Sequence, residues 1–351
     1  MATKIREDQR QSYAYGALVG GASPDAGQRQ YNPLHTTCQS LRLDVTVECD
    51  FVTTAPLTSI RNRGSVLAIF DGIGMDENGT DRIAPIDGRL LREIAEFGVE
   101  SALSATRLTS LANGTTHLKE TFPIFFAHPR SLQPRETSFM VRDPKQSLRL
   151  FHIVNGTLNG VGKLAVGGTA TIQNIKVSVT QVMDEYETGR PFFIPQYRMI
   201  QVPVTQANGA LDVNIVTGQY LRALTVMQDS DVGEVSDIVN ALAIMGDMRQ
   251  LLGPNLHIWD NLARRQEIDG GGAVYTPGAY YRKNFQLNGR LSEIWNPAQD
   301  NNLKIRFDCK PTAAAGATVS MIRILLEELV IDPSARTPDG KPLTDPLEIP
   351  V

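Results

Sequence analysis

Residues 40–52, SLRLDVTVECDFV, restrict the fold more tightly than any other stretch of the chain. Leu41, Leu43, Val45, Val47, Cys49 and Phe51 fall on one face of an extended backbone, and Arg42, Asp44, Thr46, Glu48 and Asp50 on the other. Period-two alternation of this length predicts a long strand. One side of that strand needs an apolar layer, and the other needs water or a partner.

The same rhythm recurs along most of the chain. Strands are predicted at 65–72, 122–129, 138–142, 147–154 and 171–183 in the first half. In the second half they are predicted at 197–204, 210–216, 220–228, 282–289, 302–309 and 318–330. Asn-Gly occurs six times, beginning at residues 78, 113, 155, 159, 208 and 288. Both residue types tolerate positive φ, which tight hairpin turns require. Three of the six read Asn-Gly-Thr and match a glycosylation acceptor. The start MATKIREDQRQ has no signal-peptide core, so the turn reading is preferred.

Two segments depart from period two. Residues 87–103, DGRLLREIAEFGVESAL, and 235–254, VSDIVNALAIMGDMRQLLGP, space their apolar residues by three and four. Each is expected to form a helix, with Asp87 and Ser236 as N-caps and Gly253-Pro254 as the second stop. A shift of about 148 positions sets the first helical pattern on the second. A shift of about 147 sets Ile172, Ile175, Val177, Val179 and Met183 on Val319, Ile322, Ile324, Leu326 and Val330, and one near 155 sets LRLFHIV on LKIRFDC. Elements repeated in one order at nearly one spacing point to two similar domains in tandem.

A chain of 351 residues is long enough for two such cores. The expected fold is all-β with one inserted helix per half: two tandem jelly-roll β-sandwiches. The expected organisation is an N-terminal arm over 1–35 with a short first helix, a first jelly roll over 36–188 and a second over 189–333. The tail, 334–351, is proline-rich: residues 332–351 hold five prolines.

The residues that carry chemistry are few and poorly spaced for it. Net charge is -4, with 34 basic and 38 acidic residues intermixed, and basic residues never form a stripe with aromatics; direct nucleic-acid binding is not expected. Cys38, Cys49 and Cys309 are odd in number and read as free thiols of a reducing cytoplasm, with Cys49 and Cys309 packed inside. His35, His117, His128, His152 and His257 form no metal-ligand spacing, and His152 reads as a hydrogen-bonded interior histidine. GTLNGVGKL at 156–164 misses the phosphate-loop spacing and lacks the Ser or Thr after its lysine. Asp76, Asn78 and Asp81 carry oxygen ligands, but Gly79 is misplaced for a calcium loop, so a polar turn is expected. The carboxylate pairs Asp76-Glu77, Asp184-Glu185 and Glu327-Glu328 point to opposite strand faces and are expected at solvated strand ends. No catalytic, cofactor-binding or metal-binding residue is assigned, and no cofactor is expected.

Two sandwiches in tandem, an arm, a proline-rich tail and no catalytic constellation resemble the double jelly-roll major capsid proteins of tailless, membrane-containing icosahedral bacteriophages, of the tectivirus and corticovirus type. PGAYYRKNFQLNGRLSEIWNPAQDNNLKIRFDCKP (277–311) is similar to the second jelly roll of such proteins. The resemblance implies a non-enzymatic coat protein of the virion, synthesised in the host cytoplasm, that forms a homotrimer of six-fold outline. Its implied partners are neighbouring capsomers, penton and minor capsid proteins and an internal viral membrane, with no sequence-specific nucleic acid. Tyr13, Tyr15 and Tyr31, among Arg6, Arg10 and Arg29, would then face the membrane or neighbours, with a disordered arm as the alternative. Two other classes stay open: a double jelly-roll hydrolase acting on glycans through facing carboxylates, and a carbohydrate-binding or spike module using Tyr280, Tyr281 and Trp295 as a platform.

Overall fold

The computed structural model describes residues 5–15, 18–19, 27–56, 65–99, 112–129, 137–139, 145–154, 170–184, 193–204, 209–215, 218–229, 239–246, 249–252, 280–286, 289–290, 293–296, 303–309 and 320–332. The chain divides into two units, Met1–Gln196 with Asp332–Pro342 and Tyr197–Ile331 with Leu343–Val351.

The first unit contains β1 (Ile5–Ala14), β2 (Leu18–Val19), β3 (Arg29–Pro33), β4 (Gln39–Thr53), β5 (Phe70–Glu77), β6 (Thr80–Ile86), helix α1 (Gly88–Val99), β7 (Gly114–Phe125), β8 (Leu148–Val154) and β9 (Ala170–Asp184). One sheet runs β1-β9-β4-β7, with β2 also on β9; the other carries β6-β5-β8-β3. The strand that opened the sequence analysis is β4. Leu43, Val45, Val47, Cys49 and Phe51 are buried, and the residues between them are partly exposed. On its outer face the register sets Thr46 against Thr121, Glu48 against Lys119 and Asp50 against His117. These are complementary cross-strand pairs, and they leave the polar face satisfied towards solvent.

The start of the chain differs from expectation. Residues 1–35 were read as an extended arm with a short first helix; the described residues there are extended but belong to the sheets, β1 pairing antiparallel with β9 and β3 with β8. Alternation there is too weak to mark a strand by itself, and the partner strands impose the extended form. Residues 65–72, expected as one strand, begin as a 3₁₀ turn at Val66–Ile69 before β5. Within 138–142, Phe139 makes an isolated bridge to Ser40, and residues 140–142 lie outside the described set.

Helix α1 follows its sequence signals. Asp87 Oδ1 accepts the Arg89 backbone N–H at 2.9 Å, which caps the first turn, and Leu90, Leu91, Ile94 and Ala95 are buried. Gly88 sits against the Leu67 carbonyl group, with no room between them for a side chain. The expected end at residue 103 falls beyond the described residues.

The second unit begins inside β10 (Phe193–Val204) and continues with β11 (Gly209–Ile215), β12 (Tyr220–Asp229), β13 (Val239–Gly246), β14 (Arg249–Leu252), β15 (Tyr280–Asn284), β16 (Leu303–Cys309) and β17 (Ser320–Ile331). Its pairings are nested: β10 with β17, β11 with β16, β12 with β15, and β13 with β14. A long hairpin folded over in this way is a jelly roll, with sheets β15-β12-β17-β10 and β11-β16-β13-β14. Val213, Ile215, Leu242, Ile244, Ile305 and Phe307 of one sheet share an apolar core with Leu224, Val226, Ile322, Ile324 and Leu326 of the other. In the first unit the outer pairs, β4 with β9 and β5 with β8, nest in the same way.

The second helix is a correction. Residues expected to be helical, 235–254, supply β13 and β14, and β13 runs antiparallel to β16 from Val239 opposite Cys309 to Met245 opposite Lys304. VNALAIMG is apolar at both parities and satisfies either period; Leu242 and Ile244 are buried while Ala243 and Met245 are half-buried, the strand solution. Ser236 and Gly253-Pro254 lie outside the described residues. The helical half of the repeat therefore fails, whereas the strand half pairs true counterparts: β9 with β17, and β8 with β16.

Asn78 (φ 53°) and Gly79 (φ 81°) form the expected tight turn between β5 and β6. We expect Gly88→Ala to force its new methyl into the Leu67 carbonyl and to destabilise the protein by about 2–3 kcal/mol. Urea denaturation of wild type and variant measures this.

Candidate functional site

Three polar clusters hold most of the carboxylates, and the histidine, that the sequence singled out among the described residues. In the second unit, Arg222 of β12, Arg282 of β15, Glu327 of β17 and Tyr197 of β10 converge. Arg222 Nη2 donates to the Tyr197 hydroxyl at 2.8 Å and to Glu327 Oε2 at 3.3 Å. Arg282 Nη1 donates to Thr225 Oγ1 at 2.6 Å and pairs closely with Glu327 Oε1. Both charges are deeply buried: Glu327 is 3% exposed and Arg222 4%. Burial pushes the Glu327 carboxyl up, but the neighbouring Arg282 and Arg222 charges outweigh it and hold the group below its usual range. The Tyr197 phenol, against the same cluster, is pushed up to about 12 by burial. Glu328 turns the other way and accepts Arg198 Nη2 at 2.7 Å.

The first unit has an equivalent at the β5–β6 hairpin. Asp76 accepts a two-pronged pair from Arg149 of β8, both bonds at 3.2 Å, and Arg149 stands opposite Asp76 in the strand register. Glu77 accepts Arg82 Nε at 2.6 Å, and Asp81 accepts two bonds from Arg29 at 3.1 Å. Arg29 stacks on the Phe151 ring at 4.1 Å and Arg149 on Tyr31 at 4.4 Å. Asn78 Oδ1 accepts the Ser147 backbone N–H at 3.0 Å. The oxygens that raised the calcium question thus serve arginines and a turn.

These clusters overturn one expectation. Asp76, Glu77, Glu327 and Glu328 were read as solvated strand ends, and all four are buried and ion-paired. The missed signal was arginine: Arg149 in SLRLFHIV and Arg222 in YLRALTVMQ interrupt apolar strands, and a cation there needs a carboxylate beside it. Asp184 is also buried, and Glu185 lies outside the described residues. Each described pair faces its arginines, not a second carboxylate across a cleft, which leaves the glycan hydrolase reading unsupported. Tyr281 and Trp295 are buried in the second core, so they form no exposed platform, and the Tyr280 side chain lies outside the described set.

The third cluster centres on His152, which is hydrogen-bonded and interior, as expected. Its Nε2–H donates to Asn32 Oδ1 at 3.0 Å, and its Nδ1 faces the Tyr15 hydroxyl at close range. Asn32 Nδ2 donates to the Val177 carbonyl at 3.3 Å, which fixes the amide's orientation. Tyr15, expected on an arm facing the membrane or neighbours, is instead 5% exposed. Tyr31 is exposed, while Tyr13, Arg6 and Arg10 have side chains outside the described set.

The cysteines follow the sequence reading. Cys49 and Cys309 are buried free thiols, and Cys38 is half-buried. Burial pushes the Cys49 thiol up to about 12.

No protein-family model and no curated protein sequence matches the chain. Its architecture is that of the double jelly-roll proteins, a fold it shares with structures matched along nearly their full length. It is similar to the major capsid protein of STIV, Sulfolobus Turreted Icosahedral Virus, with a TM-score of 0.65 at 12% identity over 93% of this chain and 97% of that one. It is similar to the PBCV-1 virus capsid protein at 0.60 and 11% identity, over 94% of each chain. The major capsid protein P2 from bacteriophage PM2 gives 0.54 at 11% identity, over 92% and 98%.

Two outcomes follow. Glu327→Gln keeps the shape but removes the carboxylate charge from buried Arg222 and half-buried Arg282, and we expect a loss of about 3 kcal/mol in urea denaturation. Alkylation of the native protein is expected to modify Cys38 first, with Cys49 and Cys309 reacting only after denaturation, as peptide mass spectrometry would read.

Proposed function

We propose that this protein is a major capsid protein: a non-enzymatic brick of an icosahedral viral shell, resident in the virion and synthesised in the host cytoplasm. One observation carries the reading. The likeness to capsid proteins extends over the whole architecture, 93% of this chain and 97% of the STIV protein, rather than over a single sandwich that many functions share. The chemistry agrees, because the buried charges serve neighbouring strands within each unit.

In this reading the two sandwich modules, over 36–188 and 189–333, give each chain two similar halves, with 334–351 as a tail. Three chains then make a trimer of six-fold outline that tiles beside other capsomers, penton and minor capsid proteins. A closed ring of this kind buries self-complementary surface and leaves no open end. A membrane inside the shell would separate protein from genome, and a net charge of -4 suits a coat with no basic lining.

Multi-angle light scattering on the purified protein is expected to return three chains per particle, or larger assemblies of that unit. A stable monomer that cleaves saccharide or amide substrates would overturn the proposal.

A further inference from the structure

The N-terminal strands hold an unusual place in the first unit. Among the described residues, β1 is the edge of the sheet β1-β9-β4-β7, and β3 is the terminal strand beside β8 in the other sheet. One short segment therefore borders both layers of the sandwich. Each of these strands is held by a strand neighbour on one side, β9 or β8. An edge strand can leave without breaking the pairings behind it.

Between these two edges lies the His152 cluster. Tyr15 follows β1; its N–H donates to the Ile175 carbonyl of β9 at 2.9 Å, and its hydroxyl reaches His152 of β8. The same hydroxyl lies 3.1 Å from the His152 carbonyl. Asn32, on β3, accepts from His152 and donates across to Val177 of β9. These two side-chain partners of the imidazole come from the N-terminal segment, and both also hold the opposite sheet. The imidazole faces the titratable Tyr15 phenol, the Asn32 amide and the Phe70 ring of β5.

We propose that β1 and β3 form a strap latched by the Tyr15–His152–Asn32 bridge, and that protonation of His152 releases this strap while the β4–β9 and β5–β8 pairings stay closed. In the closed form Asn32 takes the Nε2 proton, so Nδ1 is the acceptor and the site holds a neutral ring. An added proton goes to Nδ1. Nδ1 then becomes a donor, and the Tyr15 hydroxyl must turn its own proton to the His152 carbonyl. Hydrogen bonds survive that exchange, but a charge is left in a dry interior. Removing Tyr15 and Asn32 hydrates the ring at the cost of two edge strands only. Local opening is therefore the shortest path to a solvated imidazolium.

The sign follows from burial, which lowers the pKa of His152 from 6.5 to about 3. The open state binds the proton more readily, so the closed strap has its full stability above about pH 6.5 and loses it as pH falls towards 3. Between pH 7 and pH 5 the ratio of open to closed strap is expected to rise about twenty-fold.

Hydrogen exchange with mass spectrometry on the full-length protein tests this, with rates corrected for the pH dependence of intrinsic exchange. Peptides from β1 and β3 should lose protection by that factor at pH 5, with β4 and β5, which pair with neither strand, unchanged. His152→Gln, which cannot titrate, should abolish the acid increment. Tyr15→Phe, which keeps the ring and the histidine, should raise strap exchange already at pH 7 and retain the increment. The proposal fails if β1 and β3 lose protection only together with β4 and β5, if the increment persists in His152→Gln, or if Tyr15→Phe exchanges like wild type at pH 7.

Discussion

Everything in each unit hangs on one dry layer between two sheets. Alternate side chains of β4, β7 and β9 enter it in the first unit, and those of β12, β16 and β17 in the second. A slip of one residue in β4, β9 or β16, whose other faces are at least partly exposed, would turn the whole apolar set towards water. Register is therefore the quantity the sequence has to specify, and the polar residues can be understood by what they do for it. Glu327 engages arginines on β12 and β15, and Asp76 meets Arg149 directly opposite. In a shifted register these charges would lie buried without partners.

Legibility followed the strength of alternation. β4, β8, β9 and β16 could be read residue by residue because their two faces differ in polarity. β13 could not, because its residues are apolar on both faces and a helix accommodates them as well as a strand does. β1, IREDQRQSYA, failed for the opposite reason: its middle, Arg6–Ser12, is polar on both faces, and its extended form comes from pairing with β9. The nested strand order was legible only by analogy, since pairing across long connections leaves no mark in local periodicity.

The polar clusters show a related asymmetry. Close carboxylate pairs drew notice in the sequence, yet Glu327 and Glu328 are matched by arginines over a hundred residues away, Arg222 and Arg198, and Asp76 by Arg149 at 73. His152 was legible as an interior group because it interrupts an apolar strand, but its partners Tyr15 and Asn32 lie 137 and 120 residues off, in a segment without periodicity. A lone polar residue in an apolar strand announces that a partner exists, and only the fold says which one.

Burying this many charges does little for stability, because desolvation consumes most of what the ion pairs return. Their value lies in discrimination between arrangements. A chain with two sandwiches of similar strand order can mispair a strand from one half with its counterpart in the other, and β8 and β9 share apolar spacing with β16 and β17. An apolar layer alone would tolerate such an exchange. A carboxylate that must meet a guanidinium at one rung does not: β17 satisfies Arg222 and Arg282 through Glu327, whereas Thr180 stands at the position of β9 that the shared spacing brings to Glu327. The polar rungs thus distinguish two halves whose cores look alike, which is the demand a duplicated sandwich places on its sequence.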